Sequence, residues 1–481
     1  LPPLRFSAFF ATIMENGRSG FPAAENREAE GMNERETLKV NESGHLEIGG
    51  ADCVDLAKQF GTPLYVFDEA YIRRMMRVYR DTIEKEYGGN GLVLYASKAF
   101  ACEAMYRIAD KEGIGADVVS GGELYTALKA GFPASKIYMH GNNKLDYELE
   151  EAISAGVRCI VADAVTEIDK IERIASEKGV VQDILLRINP GVEAHTHAYI
   201  QTAKTDSKFG FSVADGTAEK AAEYALSKAH VRLRGFHCHI GSQIFEKQSF
   251  VVAAEKCMDF AAKMKGKTGF VTEELNLGGG FGIWYTDEDR KIPPEGYAEY
   301  LEALLCAVAE KAEEKGLKRP YILVEPGRSI VGEAGITLYT VGAVKEIPGV
   351  RKYVAVDGGM FDNPRYALYQ AKYTPVLAAR ANEEGTETVS VAGKCCECGD
   401  LVCADVRVPA AKAGDLLAVL SRGAYNYSMA MNYNRNLIPP CVLVREGKAA
   451  YIVRPQSYAD LTRNDAVPEY LRKKDAKSGK E

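Results

Sequence analysis

A chain of 481 residues with 46% hydrophobic content carries enough apolar side chain for one large domain and a smaller companion. Its net charge of −7, with no basic block beyond Arg472-Lys473-Lys474, argues against a nucleic-acid or membrane partner and for small molecules. No apolar stretch approaches the roughly 20 residues that span a bilayer, and eleven cysteines scattered from Cys53 to Cys441 read as reduced thiols of a cytoplasmic protein without structural disulfides.

In chain order, the apolar-leaning run 6–14 behind one arginine resembles a weak export signal but lacks a small-residue cleavage site. Residues 1–31 are therefore expected to form a disordered extension ahead of a native start at Met32. From Gly91 to Glu325 one theme repeats: a short apolar or β-branched run, a polar or glycine turn, then a helical stretch. The runs predict eight strands, over 92–96, 115–119, 136–140, 158–162, 183–188, 233–237, 274–277 and 321–324. Helices such as 145–155, 218–229 and 297–315 lie between them.

Eight strands alternating with helices predict an α/β fold, a parallel (β/α)8 TIM-like barrel over 66–330, with an open doubly wound sheet as the structural alternative. Beyond Val331 the texture turns to β-rich sequence at 353–356, 388–391, 401–408, 415–420, 441–444 and 450–453. This predicts a C-terminal β-rich domain, sandwich-like or barrel-like, built from 331–481 and completed by 32–65.

Functional groups of such a barrel collect at the C-terminal ends of its strands. The first predicted strand ends at Lys98 between Ala96, Ala99 and Phe100, where loss of water would lower the amine's pKa and make it a nucleophile toward an aldehyde. The sixth ends in Phe236-His237-Cys238-His239-Ile240-Gly241-Ser242-Gln243, and of its two histidines one is expected to enter the site, which makes zinc ligation the weaker reading. The seventh ends in the glycine run Gly278-Gly279-Gly280, whose bare N–H groups can approach a phosphate. The eighth ends in Glu325-Pro326-Gly327-Arg328, a carboxylate and a guanidinium on the rim. A lysine, an imidazole, a phosphate cradle and a carboxylate on successive strand ends specify pyridoxal 5′-phosphate.

These segments, with Asp117-Val118-Val119-Ser120-Gly121-Gly122-Glu123-Leu124, resemble the signature set of the barrel-type, alanine-racemase-like pyridoxal-phosphate decarboxylases, over nearly everything from Met32 onward. Arg187-Ile188-Asn189-Pro190-Gly191, Asp206-Ser207-Lys208-Phe209-Gly210 and Asp357-Gly358-Gly359-Met360 resemble the diaminopimelate branch of that family. The resemblance implies decarboxylation of meso-2,6-diaminopimelate at its D-configured centre to L-lysine and CO2.

It also implies the roles. Lys98 holds the cofactor, His239 stacks on its ring, and Glu325 pairs with the ring nitrogen, while Asp117, Ser242, Gly278, Gly279, Gly280, Gly327, Arg328 and Tyr425 complete the cofactor site. Arg328, Arg365, Tyr369, Glu397 and Tyr425 bind substrate, the guanidiniums gripping the distal carboxylate. Cys396 and Glu397 enter the site from a second copy, so that the active site is complete only in a homodimer, and Cys396 is the candidate proton donor. Lys394-Cys395-Cys396-Glu397-Cys398 does not match common zinc spacing, and no metal is expected. The sequence departs from the family pattern at Ala203, at Cys398 and at Arg454-Pro455-Gln456-Ser457. A decarboxylase of D-ornithine or D-lysine is the alternative, against which Arg365 and Glu397 discriminate.

Overall fold

The computed structural model describes residues 35–192 and 207–472. The expected N-terminal extension and the Ala203 loop position lie outside the described residues.

Eight parallel strands close on themselves. In chain order they are β1 (Gly91–Ala96), β2 (Gly115–Val118), β3 (Ile137–Met139), β4 (Cys159–Ala162), β5 (Gln182–Asn189), β6 (Val231–His237), β7 (Glu274–Asn276) and β8 (Tyr321–Val324). Each pairs with the next, and β8 pairs with β1. The closed sheet rules out the open doubly wound alternative. Closure buries both faces, which is why the strands read as near-continuous apolar runs. Leu94, Tyr138, Cys159, Val161, Leu185 and Leu323 fill the interior. Val93, Tyr95, Ala116 and Val118 belong instead to the larger core between strands and helices.

Helices follow the strands: α1 (Glu103–Lys111), α2 (Gly121–Lys129), α3 (Asp146–Ala155), α4 (Val165–Glu177), α5 (Thr217–Leu226), α6 (Lys247–Thr268), α7 (Pro294–Glu314) and the single turn α8 (Arg328–Val331). Because α8 is so short, helix Glu69–Tyr87 covers the outside there, packing beside α7 and α8. It is stopped by Gly88 in the left-handed conformation.

The β-rich unit is organised on one long strand, Gly335–Ile347. Its first half pairs with strands Leu64–Asp68 and Leu416–Val419, and its second half with Arg351–Val356. Leu64–Asp68 continues the sheet to Cys441–Arg445, and Arg351–Val356 continues it to Glu387–Ala392 and Leu401–Val408. Two apolar cores lie on this sheet, one around Leu338, Val66 and Val442, the other around Tyr339, Val391 and Val402. The unit reaches the barrel where Tyr425 N–H donates to Ala99 O at 2.8 Å and Phe67 stacks on Phe100 at 4.4 Å.

All eleven cysteines are free, and no helix among the described residues is long and apolar enough to cross a membrane.

Candidate active site

β1 ends in a tight 3-10 turn, Ser97–Ala99, that carries Lys98. Ser97 Oγ donates to Asp117 O at 2.7 Å and to Glu123 Oε2 at 2.8 Å, while Val119 N–H donates to the same Glu123 oxygen at 2.8 Å. Glu123, in the first turn of α2, thereby fixes both strand ends that bear Lys98 and Asp117. The amine corrects one expectation. Burial pulls its pKa down, but Tyr425, Asp117 and Glu325 around it outweigh burial and hold it above the ordinary lysine value. Apolar flanks in sequence are not apolar surroundings in space.

Across the barrel, the Glu325 carboxylate receives the Asn276 Nδ2 hydrogen bond at Oε1, 2.7 Å away. His140 Nε2 and His237 Nε2 lie 3.0 and 3.3 Å from that oxygen. Burial opposes the charge on Glu325, yet the two histidines win and its pKa is held well below the usual carboxylate range. Asp117 has fewer donors, and burial pushes it up to about 6. The same burial pushes His237 down to about 4.

The two histidines of β6 are the second correction. His237 is the last residue of β6 and His239 lies two residues beyond it, yet both line the space that holds Lys98 and Glu325, and Cys238 between them is buried in the outer core. His239 accepts the Gly279 N–H at Nδ1, 3.3 Å, and its pKa is driven well below the usual imidazole value by burial and by Lys98. It is a neutral ring. His140, His237 and Glu325 are also the one group among the described residues with metal-ligand proximity, whereas Cys395 and Cys403 are buried and Cys396 and Cys398 exposed.

The glycine run is not a flexible turn. A Cβ on Gly279 would sit 2.0 Å from Glu325 O, and one on Gly280 2.2 Å from Gly241 O. Bare backbone is required for the β6, β7 and β8 ends to meet. Above it lies a cavity of about 430 Å3 walled by Lys98, His239, Ser242, Gly280, Glu325, Gly327, Arg328, Arg365, Tyr369 and Tyr425. A second cavity, about 310 Å3, shares Lys98, His239 and Glu325 and adds Asp117 and His140. Arg328 donates to Ser242 Oγ from Nη2 at 2.9 Å, and its guanidinium lies 4.7 Å from the Tyr425 ring centre. Arg365 is buried, donates from Nε to Tyr373 OH at 2.8 Å and lies 5.7 Å from the same Tyr425 ring.

This arrangement fits pyridoxal phosphate. A buried amine, a neutral imidazole, a side-chain-free glycine cradle and an ionised glutamate whose Oε2 has only a 3.4 Å contact surround one space. Asp117 Oδ1 and His237 Nδ1 are buried there without hydrogen-bond partners.

Two expected residues are not part of this cavity. Cys396 and Glu397 are exposed on a loop whose base is set by Asp400, which accepts the N–H of Cys395 at 2.6 Å. Their own chain does not bring them to Lys98. Sequence reasoning missed His140, Asn276, Arg187 and Tyr285. The first three close strands or lie within their last turn, so the strand-end rule that found Lys98 would have found them. Tyr285, which accepts from Arg328 Nη1, comes from a loop and has no such signal.

Residues 70–332 match the family model described as pyridoxal-dependent decarboxylase, pyridoxal binding domain. The chain is 52% identical to the diaminopimelate decarboxylase of Bacillus subtilis over 429 residues, 89% of this chain and 97% of that protein. It is 45% identical to the diaminopimelate decarboxylase of Staphylococcus aureus, over 89% of this chain and 99% of that one. Among solved structures, diaminopimelate decarboxylase from M. jannaschii in complex with L-lysine superposes with a TM-score of 0.84 at 38% identity, covering 91% of this chain and 99% of that one. By family model, by identity over most of its length and by fold, the chain belongs to the diaminopimelate decarboxylases.

Proposed function

We propose that this chain decarboxylates meso-2,6-diaminopimelate to L-lysine and CO2, with pyridoxal phosphate held by Lys98. The observation that carries the reading is a cavity lined both by Lys98 and Glu325 and by two guanidiniums, Arg328 and Arg365. A substrate with one carboxylate to lose and a second to be gripped suits that division.

Bound there, pyridoxal phosphate supplies a conjugated electron sink for the electron pair left when CO2 departs. The chain's own residues do the rest. Glu325, kept ionised, would hold a proton on the ring nitrogen. His239, a neutral imidazole, would hold the ring without adding charge, and Asp117 lines the same space as Lys98 and His239. Ser242, Gly278, Gly279, Gly280, Gly327 and Tyr425 hold the phosphate, with Arg328 beside Ser242 neutralising it. Arg365, Tyr369 and the Arg328 fork orient the distal carboxylate of the substrate.

Cys396 and Glu397 act on a partner copy's cavity in a homodimer, Cys396 delivering the proton and Glu397 binding the distal ammonium. Their exposure on the free surface of one chain supports this. Among the described residues the catalytic barrel with its helices runs from 69 to 331 and not from 66, because strand Leu64–Asp68 pairs with Gly335–Ile347 and Cys441–Arg445 in the β-rich companion built from 35–68 and 335–472.

The test is CO2 and L-lysine release from meso-diaminopimelate, D-lysine and D-ornithine, with Lys98→Ala as control. Turnover of meso-diaminopimelate alone, lost in Lys98→Ala and raised in KM by Arg365→Ala, is expected. Preference for D-lysine or D-ornithine would overturn the substrate assignment and leave the cofactor chemistry standing.

A further inference from the structure

The barrel end opposite Lys98 holds another cavity, about 610 Å3, at the strand starts around Leu92, Tyr138 and Tyr321. Its walls carry five cations, Lys136, Arg158, Arg234, Lys318 and Arg319, against two carboxylates, Glu273 and Glu274. The carboxylates are already matched. Arg158 pairs with Glu274 and, at 2.5 Å, with Asp183 behind the wall. Arg234 Nη1 lies 2.5 Å from Glu273, and Arg232 lies 2.5 Å from Asp183.

Three cations remain. Lys136 has only Asp110, 3.7 Å away, and exposed Lys318 and Arg319 have no ion-pair partner among the described residues. Deeper in, Thr272 Oγ1 is buried without a hydrogen-bond partner, in a residue only 8% exposed, while Arg234 Nε lies 3.5 Å from Glu274 and 3.9 Å from Asp183. A buried hydroxyl without a partner opposes folding, so it persists where something answers it. Unmatched positive charge beside an unanswered buried hydroxyl calls for an anion with several acceptor oxygens. A monocarboxylate brings one charge and two oxygens; a phosphate brings nearly two charges and three or more.

We propose that this cavity binds inorganic phosphate or a phosphate monoester, at the barrel end remote from the catalytic cavity. Lys318 and Arg319 hold the anion at the mouth and the Thr272 hydroxyl receives it inside. The site is independent of the cofactor's own phosphate cradle and of the reaction assigned to this chain.

The experiment uses the holoenzyme, so that the cofactor already fills the cradle. Thermal unfolding is followed in inorganic phosphate and in sodium chloride of matched ionic strength, for wild type and for the double variant Lys318→Ala/Arg319→Ala. The expected result is a saturable rise in Tm with phosphate beyond chloride, absent in the double variant, with unchanged turnover of meso-diaminopimelate in phosphate-free buffer. Thr272→Val, which keeps the shape and removes the hydroxyl, weakens the phosphate response several-fold. No rise beyond chloride in wild type, or the same rise in the double variant, overturns the proposal.

Discussion

Glu325 is a carboxylate with almost no access to water, and it stays ionised because polar groups from three strands converge on one of its oxygens. Asn276 ends β7, His237 ends β6, and His140 follows β3. The crowding of Oε1 leaves Oε2 with a 3.4 Å contact to His237 Nε2. Because its pKa is depressed, whatever Glu325 contributes is present at and above the ordinary carboxyl range and is lost only as pH falls through the lowered value. His140→Leu removes the largest of the neighbours that lower it. Losing one contact to a charged acceptor costs about 1.5–3 kcal/mol, on the order of tenfold or more in cofactor affinity. The pH at which the cofactor is released on acidification is therefore expected to move toward neutrality, read as cofactor-band absorbance after dialysis across a pH series. An unmoved acid limb with weaker binding throughout would make His140 a packing residue only. The sequence offered Glu325 and Lys98 as strand-end residues. It did not offer this convergence, since contacts between positions 140, 237, 276 and 325 exist only once the barrel closes.

At the scale of elements, the glycine run of β7 does the joining. The Gly279 backbone approaches Glu325 O so closely that an added methyl would overlap it. Gly279→Ala must push the β7 and β8 ends apart, at a cost of about 1–3 kcal/mol by analogy with overpacked cores, and it displaces both Glu325 and the phosphate cradle. A lowered Tm together with weakened cofactor binding is expected in calorimetry and equilibrium dialysis; a fall in Tm with unaltered cofactor affinity would separate the glycine from the site. The barrel strands were legible because burial on two faces writes uninterrupted apolar runs into the sequence. The long strand Gly335–Ile347 was not, because its second half, with Gly342, Lys345 and Glu346, lies at the exposed margin. Helix Glu69–Tyr87 was likewise obscured by its many charges. Arg73 and Arg77 meet on the buried Glu112 carboxylate, a satisfied network that sequence alone shows as mere polarity.

At the scale of the whole molecule, neither unit makes the cavity alone. The barrel supplies Lys98, His239, Glu325 and Arg328, and the β-rich unit supplies Arg365, Tyr369 and Tyr425. Their segments are tied by Arg422 and Asp362, a fully buried pair 3.5 Å apart that lies just before Tyr425 in one segment and just before Arg365 in the other. The loop bearing Cys396 and Glu397 grows from the same unit but projects outward, and that geometry makes a strong prediction about assembly. If the loop serves a partner copy, Lys98→Ala and Glu397→Ala each inactivate the homodimer, but co-expression gives mixed dimers in which one site has both an intact lysine and an intact glutamate. Random pairing of equal amounts restores about a quarter of the sites. Activity near that level in the co-expressed pair, absent when the two purified variants are mixed without subunit exchange, is expected from a turnover assay on meso-diaminopimelate. No activity recovered on co-expression would mean that each chain folds its own Glu397 into its own cavity, and an active Glu397→Ala homodimer would mean that the site does not use Glu397.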